Sequence, residues 1–451
     1  MKRFSSRRTT RYAALLLTLV GGAVIVVASA QATPTKKNVN AFVIVASAQS
    51  NCTQPLVGQC FEVHVQNDGS SNVTLGSTNF TAPTGWAVNS AVVTDASGHS
   101  WSACGGNGTT CGAGNVVELR ANSSGDALAA GQSVTAYADV STNCAASGNS
   151  ALWSQETKQA NNFSGQPGND FLGKSLDLNP LGSFSVTTDI PSIVDRSATP
   201  SVTWTVTAQD TCGQTKAAGA APGQAAYRGT TPYSDSVTKT GLTGAGFNPA
   251  LPSGLSWGAS SGVGTITVTP NTSEAGNQLT ETDTPTGIST SSQSFVVVDE
   301  LCTKTNGKPC SVNDGQYHNG SVTTTLSTPN GTNPNKGSLG LGFDPSLDTT
   351  GCVQGAGQLG EKMFIVPSGD LGPYQVTITL TKAAVGKVST SSLYICFKGE
   401  NTIGPNGWIV LQNCSNTVSD PCIVSRSGTS GGGVQFVLSL APGDPSPVIH
   451  H

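Results

Sequence analysis

The chain has little charge, almost no methionine and few histidines. Charged residues make up 11% of its 451 residues, beside 2 methionines and 5 histidines, and the net charge is −4. Nucleic-acid binding needs a basic surface patch, which this sequence lacks, so we expect no nucleic-acid partner. No C-x-x-C pair occurs and the histidines do not cluster near cysteines. These absences argue against zinc and redox chemistry.

Groupings that would indicate catalysis or metal binding are also missing. The histidines are His64 on the polar face of a predicted strand, His99 and His318 in loop-like stretches, and His450 and His451 at the end of the chain. Acidic residues are sparse and scattered, so no facing pair for glycoside hydrolysis can be named. We expect no catalytic residue, no metal site and no cofactor.

Two clusters of oxygen ligands deserve comparison with a calcium site. Asn169-Asp170 with Asp177, and Asn313-Asp314-Gly315, lie near turns, where surface domains often bind calcium. No D-x-[DN]-x-[DN]-G loop is present. Asparagine, aspartate and glycine are also ordinary turn residues. We therefore interpret both clusters as turns.

The N-terminus carries the pattern of an export signal. Five basic residues precede an uncharged apolar run over 13–30, which ends in small residues that fit an A-x-A cleavage site. We expect residues 1–32 to be a signal peptide and 33–40 a short polar leader. Arg7-Arg8 resembles a twin-arginine signal, but Thr9 and Thr10 follow where apolar residues are needed, which favours the general export route.

Retention of the apolar run is the alternative. A run of ~18 uncharged apolar residues can just span a bilayer. We therefore expect a secreted, extracellular protein, with a membrane association only if 13–30 is retained. Outside the cytoplasm, disulfides persist.

The rest of the chain alternates like β-structure. Phe61, Val63 and Val65 share one face of a predicted strand, while Glu62, His64 and Gln66 share the other. Further strands are predicted at 42–46, 73–75, 86–93, 116–120, 134–140, 201–207, 264–269, 294–299, 374–380, 408–411 and 434–440. Many short strands separated by turn residues favour antiparallel sandwiches.

The first segment resembles a module of secreted actinobacterial-type surface proteins. The resemblance rests on the stretches 65–70, 75–77, 83–86, 117–121, 127–134, 158–165 and 168–171. Members of that group are immunoglobulin-like repeats, mostly without assigned activity. The resemblance implies an immunoglobulin-like β-sandwich over 41–188, to which Cys104 and Cys111 add a local staple.

Two further segments follow a change of composition near Pro191. The stretches 264–270, 279–283 and 295–298 resemble bacterial immunoglobulin-like repeats of the invasin–intimin kind, which implies a second domain over 189–300. The stretches 393–397, 420–426 and 441–445 resemble the C-terminal segment of the same actinobacterial-type proteins. We expect a third, β-rich domain of unknown function over 301–451. Glycine, alanine and proline between 213 and 234 predict a long loop.

Twelve cysteines, an even number, lie along the chain. Eight extended residues would span ~27 Å, whereas the Cα atoms of a disulfide lie ~5.5 Å apart. Pairs eight positions apart can therefore bond only if the chain doubles back, and each interval contains turn residues. We propose the pairs Cys52 with Cys60, Cys302 with Cys310, Cys352 with Cys396, and Cys414 with Cys422. Cys144 and Cys212 either connect the first two domains or stay free.

The fold class expected is therefore all-β, with tandem immunoglobulin-like antiparallel sandwiches stabilised by disulfides. We expect a non-catalytic structural or adhesion protein at the cell surface, whose partner is an unknown extracellular protein or a glycan. Trp204 shares a face with Val202 and Val206 and is expected in a core. The alternative function is binding of carbohydrate or cell wall through exposed aromatics such as Trp101 or Trp257. An extracellular hydrolase would need a site that the sequence does not display.

Overall fold

The computed structural model describes residues 35–450, without 105–110, 112–113, 165–169, 197, 199, 241–246, 272–273, 299, 304–309, 315–321, 328–337, 345–361, 369–373, 388, 390, 392, 399–407, 416–420 and 441–446. From 300 to 374 it describes only the backbone. The described residues form an all-β protein, as the alternation predicts. The helices among them are the α-helix Lys382–Val385 and the 3-10 helices Gln49–Asn51 and Ser124–Asp126.

The first unit, residues 38–178, consists of two facing sheets. Their strands β1 to β9 are Asn38–Val45, Gln59–Asn67, Ser77–Thr81, Ala87–Asp95, Trp101–Ala103, Val116–Ala121, Ser133–Ser141, Ser154–Lys158 and Leu172–Asp177. One sheet has the order β4-β7-β2-β1-β9 and the other β5-β6-β3-β8. Both contribute to a single hydrophobic core. Strand β9 runs parallel to β1, and the other pairings in this unit are antiparallel.

The alternation of β2 is the clearest sequence signal in this unit, and the structure confirms it. Phe61, Val63 and Val65 are fully buried in the first core. Phe61 lies beside Trp86 and Trp153, with ring centroids 5.9 and 5.6 Å away. The prediction of a strand over 73–75 is wrong, because Leu75 forms only an isolated bridge and the strand begins at Ser77.

The second unit, residues 181–298, has the same two-sheet plan. Its strands β10 to β19 are Leu181–Thr188, Ile193–Asp195, Val202–Asp210, Asp235–Thr240, Phe247–Asn248, Ser256–Trp257, Val263–Pro270, Glu274–Asp283, Ile288–Ser291 and Phe295–Val298. One sheet has the order β10-β12-β16-β14, with β15 on β16, and the other β11-β19-β17-β13, with β18 on β17. Trp204 is fully buried in the second core, as its face predicts. The long loop between β12 and β13 is also as predicted.

The change from one core to the other comes earlier than the composition change suggested. Strand β10 was expected in the first segment, but it pairs with β12 of the second unit. Only 178–180 separate β9 from β10, and the core changes across them. The first unit also starts earlier than residue 41, because Asn38 already belongs to β1 inside the expected leader. The composition changes near Pro191, after strand β10. The hydrophobic core changes before β10, because this strand pairs with β12.

Strand β1 contributes side chains to both hydrophobic cores. Val39, Ala41, Val43 and Val45 point into the first core. On the opposite face, Ile44 belongs to the second core and Phe42 packs against it. The outer face of β1 is therefore partly covered by the second unit.

The C-terminal segment, 300–450, consists of three sheets in its described parts. Their strands β20 to β30 are Glu300–Thr303, Cys310–Asp314, Val322–Ser327, Ser338–Asp344, Lys362–Ser368, Tyr374–Leu380, Tyr394–Lys398, Trp408–Val410, Cys422–Gly428, Val434–Leu440 and Pro447–His450. The sheet orders are β20-β23-β24, β21-β22-β25-β29-β28 and β27-β26-β30. The strand predicted over 374–380 has those bounds.

Three disulfides in the structure close short loops. The Cα atoms are 5.7 Å apart in Cys52–Cys60, 4.8 Å in Cys104–Cys111 and 5.0 Å in Cys414–Cys422. The chain doubles back in each interval, as bonding over such short separations requires. The proposed pairs Cys302 with Cys310 and Cys352 with Cys396 lie outside the described side chains.

The fourth disulfide resolves an open alternative. Cys144 and Cys212 are bonded, with Cα atoms 5.5 Å apart and a sequence separation of 68. Cys144 follows β7 in the first unit, and Cys212 follows β12 in the second. Both pack against the first core. This bond ties the start of the long loop to the first unit.

Candidate functional site

The histidines do not form a catalytic arrangement in the described part of the chain. The ring of His64 stacks on Phe42 with centroids 4.6 Å apart, and its Nδ1 lies 2.9 Å from Thr135 Oγ1. Burial lowers the pKa of His64 to about 4, so the ring is neutral at physiological pH. His99 lies in a turn between β4 and β5. The side chains of His318, His450 and His451 lie outside the described residues.

In the two clusters of oxygen ligands, the aspartates with described side chains form ion pairs with lysines. Asp170 pairs with Lys158 at 3.8 Å, and Asp177 pairs with Lys216 at 2.6 Å. Asn169, Gly315 and the side chains of Asn313 and Asp314 lie outside the described residues. Over the part of the chain that is described, no group of three or more potential ligands could hold a metal ion. The interpretation of Asp177 as a turn residue is wrong, because it ends strand β9 and is buried.

Trp101 and Trp257, the rings considered for the alternative of carbohydrate binding, are buried and half-buried respectively. Trp101 is only 3% exposed, and its Nε1 donates to the Asp126 carbonyl at 2.8 Å. Trp257 is half-buried, and its Nε1 donates to Asp235 Oδ2 at 2.9 Å. Gly264 makes room for this ring, because a Cβ there would lie 2.8 Å from it. Neither ring offers a flat platform to a sugar.

Two stretches fit the nucleophile pattern G-x-S-x-G, at 258–262 and 428–432. In hydrolases with this pattern the serine sits on a sharp turn between a strand and a helix. Here 258–262 connects the antiparallel strands β15 and β16, and 428–432 connects β28 and β29. Neither serine has the strand–helix context of a nucleophile.

A cleft lies where the two units meet. This junction cleft has a volume of about 750 Å³. One wall is the outer face of the first sheet, including Phe42, His64 and Gln66, and the other is the long loop after β12, including Arg228 and Tyr233. Aromatic, amide and guanidinium groups therefore line a single concave surface.

A buried ion pair lies at the base of this cleft. Lys216 Nζ is 2.6 Å from Asp177 Oδ1 and donates a second hydrogen bond to the Ala225 carbonyl at 3.3 Å. The side chain of Lys216 is 0% exposed and that of Asp177 is 11% exposed. The ring of Tyr233 covers the amine from 5.1 Å. The pair joins strand β9 of the first unit to the long loop of the second.

The local backbone fixes Lys216 in this position. Its N–H donates to the Ala208 carbonyl at 2.8 Å, and its carbonyl accepts from the Tyr227 N–H at 3.0 Å. Gly262, at φ +65°, packs against it so closely that a Cβ would lie 2.4 Å from the Lys216 carbonyl oxygen. The loop is therefore held on both sides although it has no strand of its own.

Burial pushes both members of the pair towards their neutral forms. It raises the pKa of Asp177 to about 6, and the nearby Lys216 charge only partly opposes this. It lowers the pKa of Lys216, against the attraction of Asp177. The two directions agree, because low-dielectric surroundings disfavour any charged form.

A second set of buried acids lies on strand β17. Asp283 accepts hydrogen bonds from the Tyr227 hydroxyl at 2.9 Å, the Ser234 N–H at 3.0 Å and the Thr286 hydroxyl at 2.6 Å. Glu281, two residues earlier on the same face, is 0% exposed, and neither of its carboxyl oxygens has a hydrogen-bond partner. Burial, reinforced by Asp235 and Asp283, raises the pKa of Glu281 to about 9. Glu281 is therefore protonated at neutral pH.

The burial of some of these charged residues could be predicted from the sequence. Leu279, Glu281 and Asp283 alternate with threonines, and this period of two places both acids on the buried face with Leu279. Lys216 gave no comparable signal, because it lies in a loop without periodicity. Its burial depends on the first unit, which is distant in sequence.

No protein-family model matches the chain, and no curated protein matches it. Within the described residues, no helix is long and apolar enough to cross a membrane. Inferences about function therefore rest on the geometry of the chain itself.

The unpartnered carboxyl of Glu281 predicts a specific pH dependence of stability. Folding raises its pKa from 4.5 to about 9, so only the folded state holds this proton between those values. Stability falls as the pH rises through this window, by at most about 1.4 kcal/mol per pH unit from this group. We expect Glu281→Gln, which keeps the shape without ionising, to lose less stability between pH 5 and 9 in urea unfolding. Glu118→Gln, at a carboxyl with 52% exposure, is the matched control. Parallel curves for Glu281→Gln and the unaltered chain would contradict the assignment.

Proposed function

We propose that this protein is a secreted, non-catalytic structural or adhesion protein, in which the two N-terminal units act as one rigid spacer at the cell surface. The observation that carries the proposal is the joint between the units. The Cys144–Cys212 disulfide, the Lys216–Asp177 pair and the shared strand β1 all cross it. A spacer must transmit position and load without bending, and this joint has three independent restraints.

The disulfides support an extracellular site of action. Four are present in the described residues, and no cysteine among these residues is free. Structural disulfides persist in oxidising compartments. The basic and apolar pattern before residue 32 supplies the corresponding export signal.

Rigidity of the joint is measurable by single-molecule energy transfer. Dyes on non-canonical residues at Ser124 and Ser289, both exposed and one in each unit, report the distance across the joint. We expect one narrow distance distribution. Cys144→Ser with Cys212→Ser should broaden it, because a covalent restraint is lost. The double variant Cys52→Ser with Cys60→Ser, which removes a bond within the first unit, is the control. A broad distribution in the unaltered protein would exclude a rigid spacer.

Secretion is tested by fractionation of the native host followed by intact-mass measurement. We expect the protein in the medium or on the cell surface, without about the first thirty-two residues. A full-length protein in the membrane fraction would mean that 13–30 is an anchor and that the chain is a stalk. A cytoplasmic protein with reduced cysteines would contradict the proposal altogether.

Binding of carbohydrate or cell wall is the second candidate function, and the junction cleft is the observation that favours it. Trp101, one of the rings first considered for it, is buried. The stacked rings of Phe42 and His64 line the cleft instead, beside the amide of Gln66 and the guanidinium of Arg228. Partly exposed rings flanked by hydrogen-bonding groups suit a sugar.

A screen against wall polymers and glycans tests this candidate. Phe42→Leu keeps the apolar contact with the second core but removes the ring, so affinity for a sugar ligand should fall by about tenfold, or 1.4 kcal/mol. Phe163→Leu, which removes a ring remote from the cleft, should leave binding unchanged. Equal affinity in all three proteins, or no binding at all, would remove the cleft from consideration.

A further inference from the structure

The Lys216–Asp177 pair combines features that an ordinary ion pair lacks. An amine and a carboxyl from different units lie 2.6 Å apart, and the amine has no solvent exposure. The ring of Tyr233 and the main chain of the long loop enclose them. The arrangement holds two groups that can react with each other in direct contact, with the amine shielded from solvent.

A buried ion pair is a costly end state. Removing two charges from water costs several kcal/mol per ion, and mutual attraction often fails to offset this. Proton transfer from Nζ to the carboxylate relieves the cost and leaves a neutral amine beside a carboxylic acid. The raised pKa of Asp177 and the lowered pKa of Lys216 both favour that transfer. A neutral amine and a neutral acid are the two partners from which an amide forms.

We propose that Lys216 and Asp177 condense to an intramolecular amide bond, a covalent cross-link between the first and second units. Nζ attacks Cγ of Asp177, and a bond between Cγ and one carboxyl oxygen breaks. The neutral amine contributes two protons and the carboxylic acid contributes one. Two leave with that oxygen as water, and one stays on the amide nitrogen. The reaction is a dehydration without change of oxidation state, so no further reactant is needed.

The fold supplies the two conditions for this reaction. Holding reacting groups in one geometry gives effective concentrations far above those in solution, on the order of 10⁵ M or more for well-oriented groups. Asp177 is fixed at the end of β9 opposite Phe42 of β1, and the backbone bonds of Lys216 fix the amine. The Ala225 carbonyl accepts one N–H, which restricts rotation of the amine. The amine has no solvent exposure, and exclusion of water from it favours the amide over hydrolysis.

The pair Lys174 and Asp68 shows what the same two residue types do in solvent. Lys174 Nζ lies 3.1 Å from both carboxyl oxygens of Asp68, but the lysine side chain is 54% exposed. Hydrogen bonds from Ser70, and then from Lys174, hold the pKa of Asp68 well below its usual range. Asp68 therefore stays a carboxylate, and the amine beside it is open to solvent. The pair provides a matched control within the same chain.

The test is the intact mass of the folded full chain after reduction and alkylation of its cysteines. We expect a mass lower by one water molecule than the sequence requires. Lys216→Arg and Asp177→Ala should each restore the full mass, whereas Lys174→Arg should keep the deficit. A succinimide at an aspartate also loses one water, but it would survive in Lys216→Arg. The result does not depend on where the protein acts.

Peptide mapping then locates the bond. Trypsin cuts after Lys174, Arg196 and Arg228 but not after an acylated lysine, so the cross-link joins peptide 175–196 to peptide 197–228. This branched species has the same mass as uncut 175–228, so fragmentation must show two amino-terminal series, starting at Ser175 and Ser197. A full intact mass in the unaltered folded protein, with Lys216 cleaved normally after unfolding, would overturn the proposal. A deficit that persists in Lys216→Arg would overturn it equally.

Discussion

The structure of the N-terminal half depends on the burial of both faces of strand β1. One face fills the first core, and the other contributes Ile44 to the second core and packs Phe42 against it. A sheet with one apolar face needs cover on that face only, whereas a sheet with two must be covered on both sides. The second unit provides this cover, so separating the units would expose apolar surface. The joint is thus part of the hydrophobic packing and not a flexible link between two finished domains.

This constraint explains where the polar groups lie. Covering part of the first sheet also shields polar groups from water: Asp177 at the end of β9 is buried, and His64 beside Phe42 is half-buried. Each buried polar group then needs a partner, because an unsatisfied group costs about 1–3 kcal/mol. Thr135 is the hydrogen-bond partner of His64, and Lys216 is that of Asp177. Glu281 lacks such a partner and avoids the cost of a buried charge by keeping its proton.

The sequence predicted elements far better than it predicted their assembly. Strands with strict alternation, such as β2, β12 and β25, were placed to within three residues at each end, because period two follows directly from the pleat. Short-range disulfides followed from spacing and turn residues. The boundary between the cores was misplaced, because no local pattern shows that β10 pairs with β12. The glycines near Trp101 left its exposure open in the sequence, because its burial depends on long-range packing.

The candidate site shows the same contrast between local features, which could be predicted, and long-range contacts, which could not. Glu281 and Asp283 could be placed on a buried face from the pattern around Leu279. The pattern does not show that Asp283 has hydrogen-bond partners and that the Glu281 carboxyl lacks them. Lys216 lies in a stretch whose composition indicates only a loop. That loop is nevertheless among the most constrained parts of the chain, since Cys212 anchors its start to Cys144 and Lys216 anchors it to Asp177 four residues later. The first restraint depends on an oxidising environment, while the second does not involve sulfur. Two restraints of different chemistry at one joint keep the units together over a wider range of conditions than either could alone.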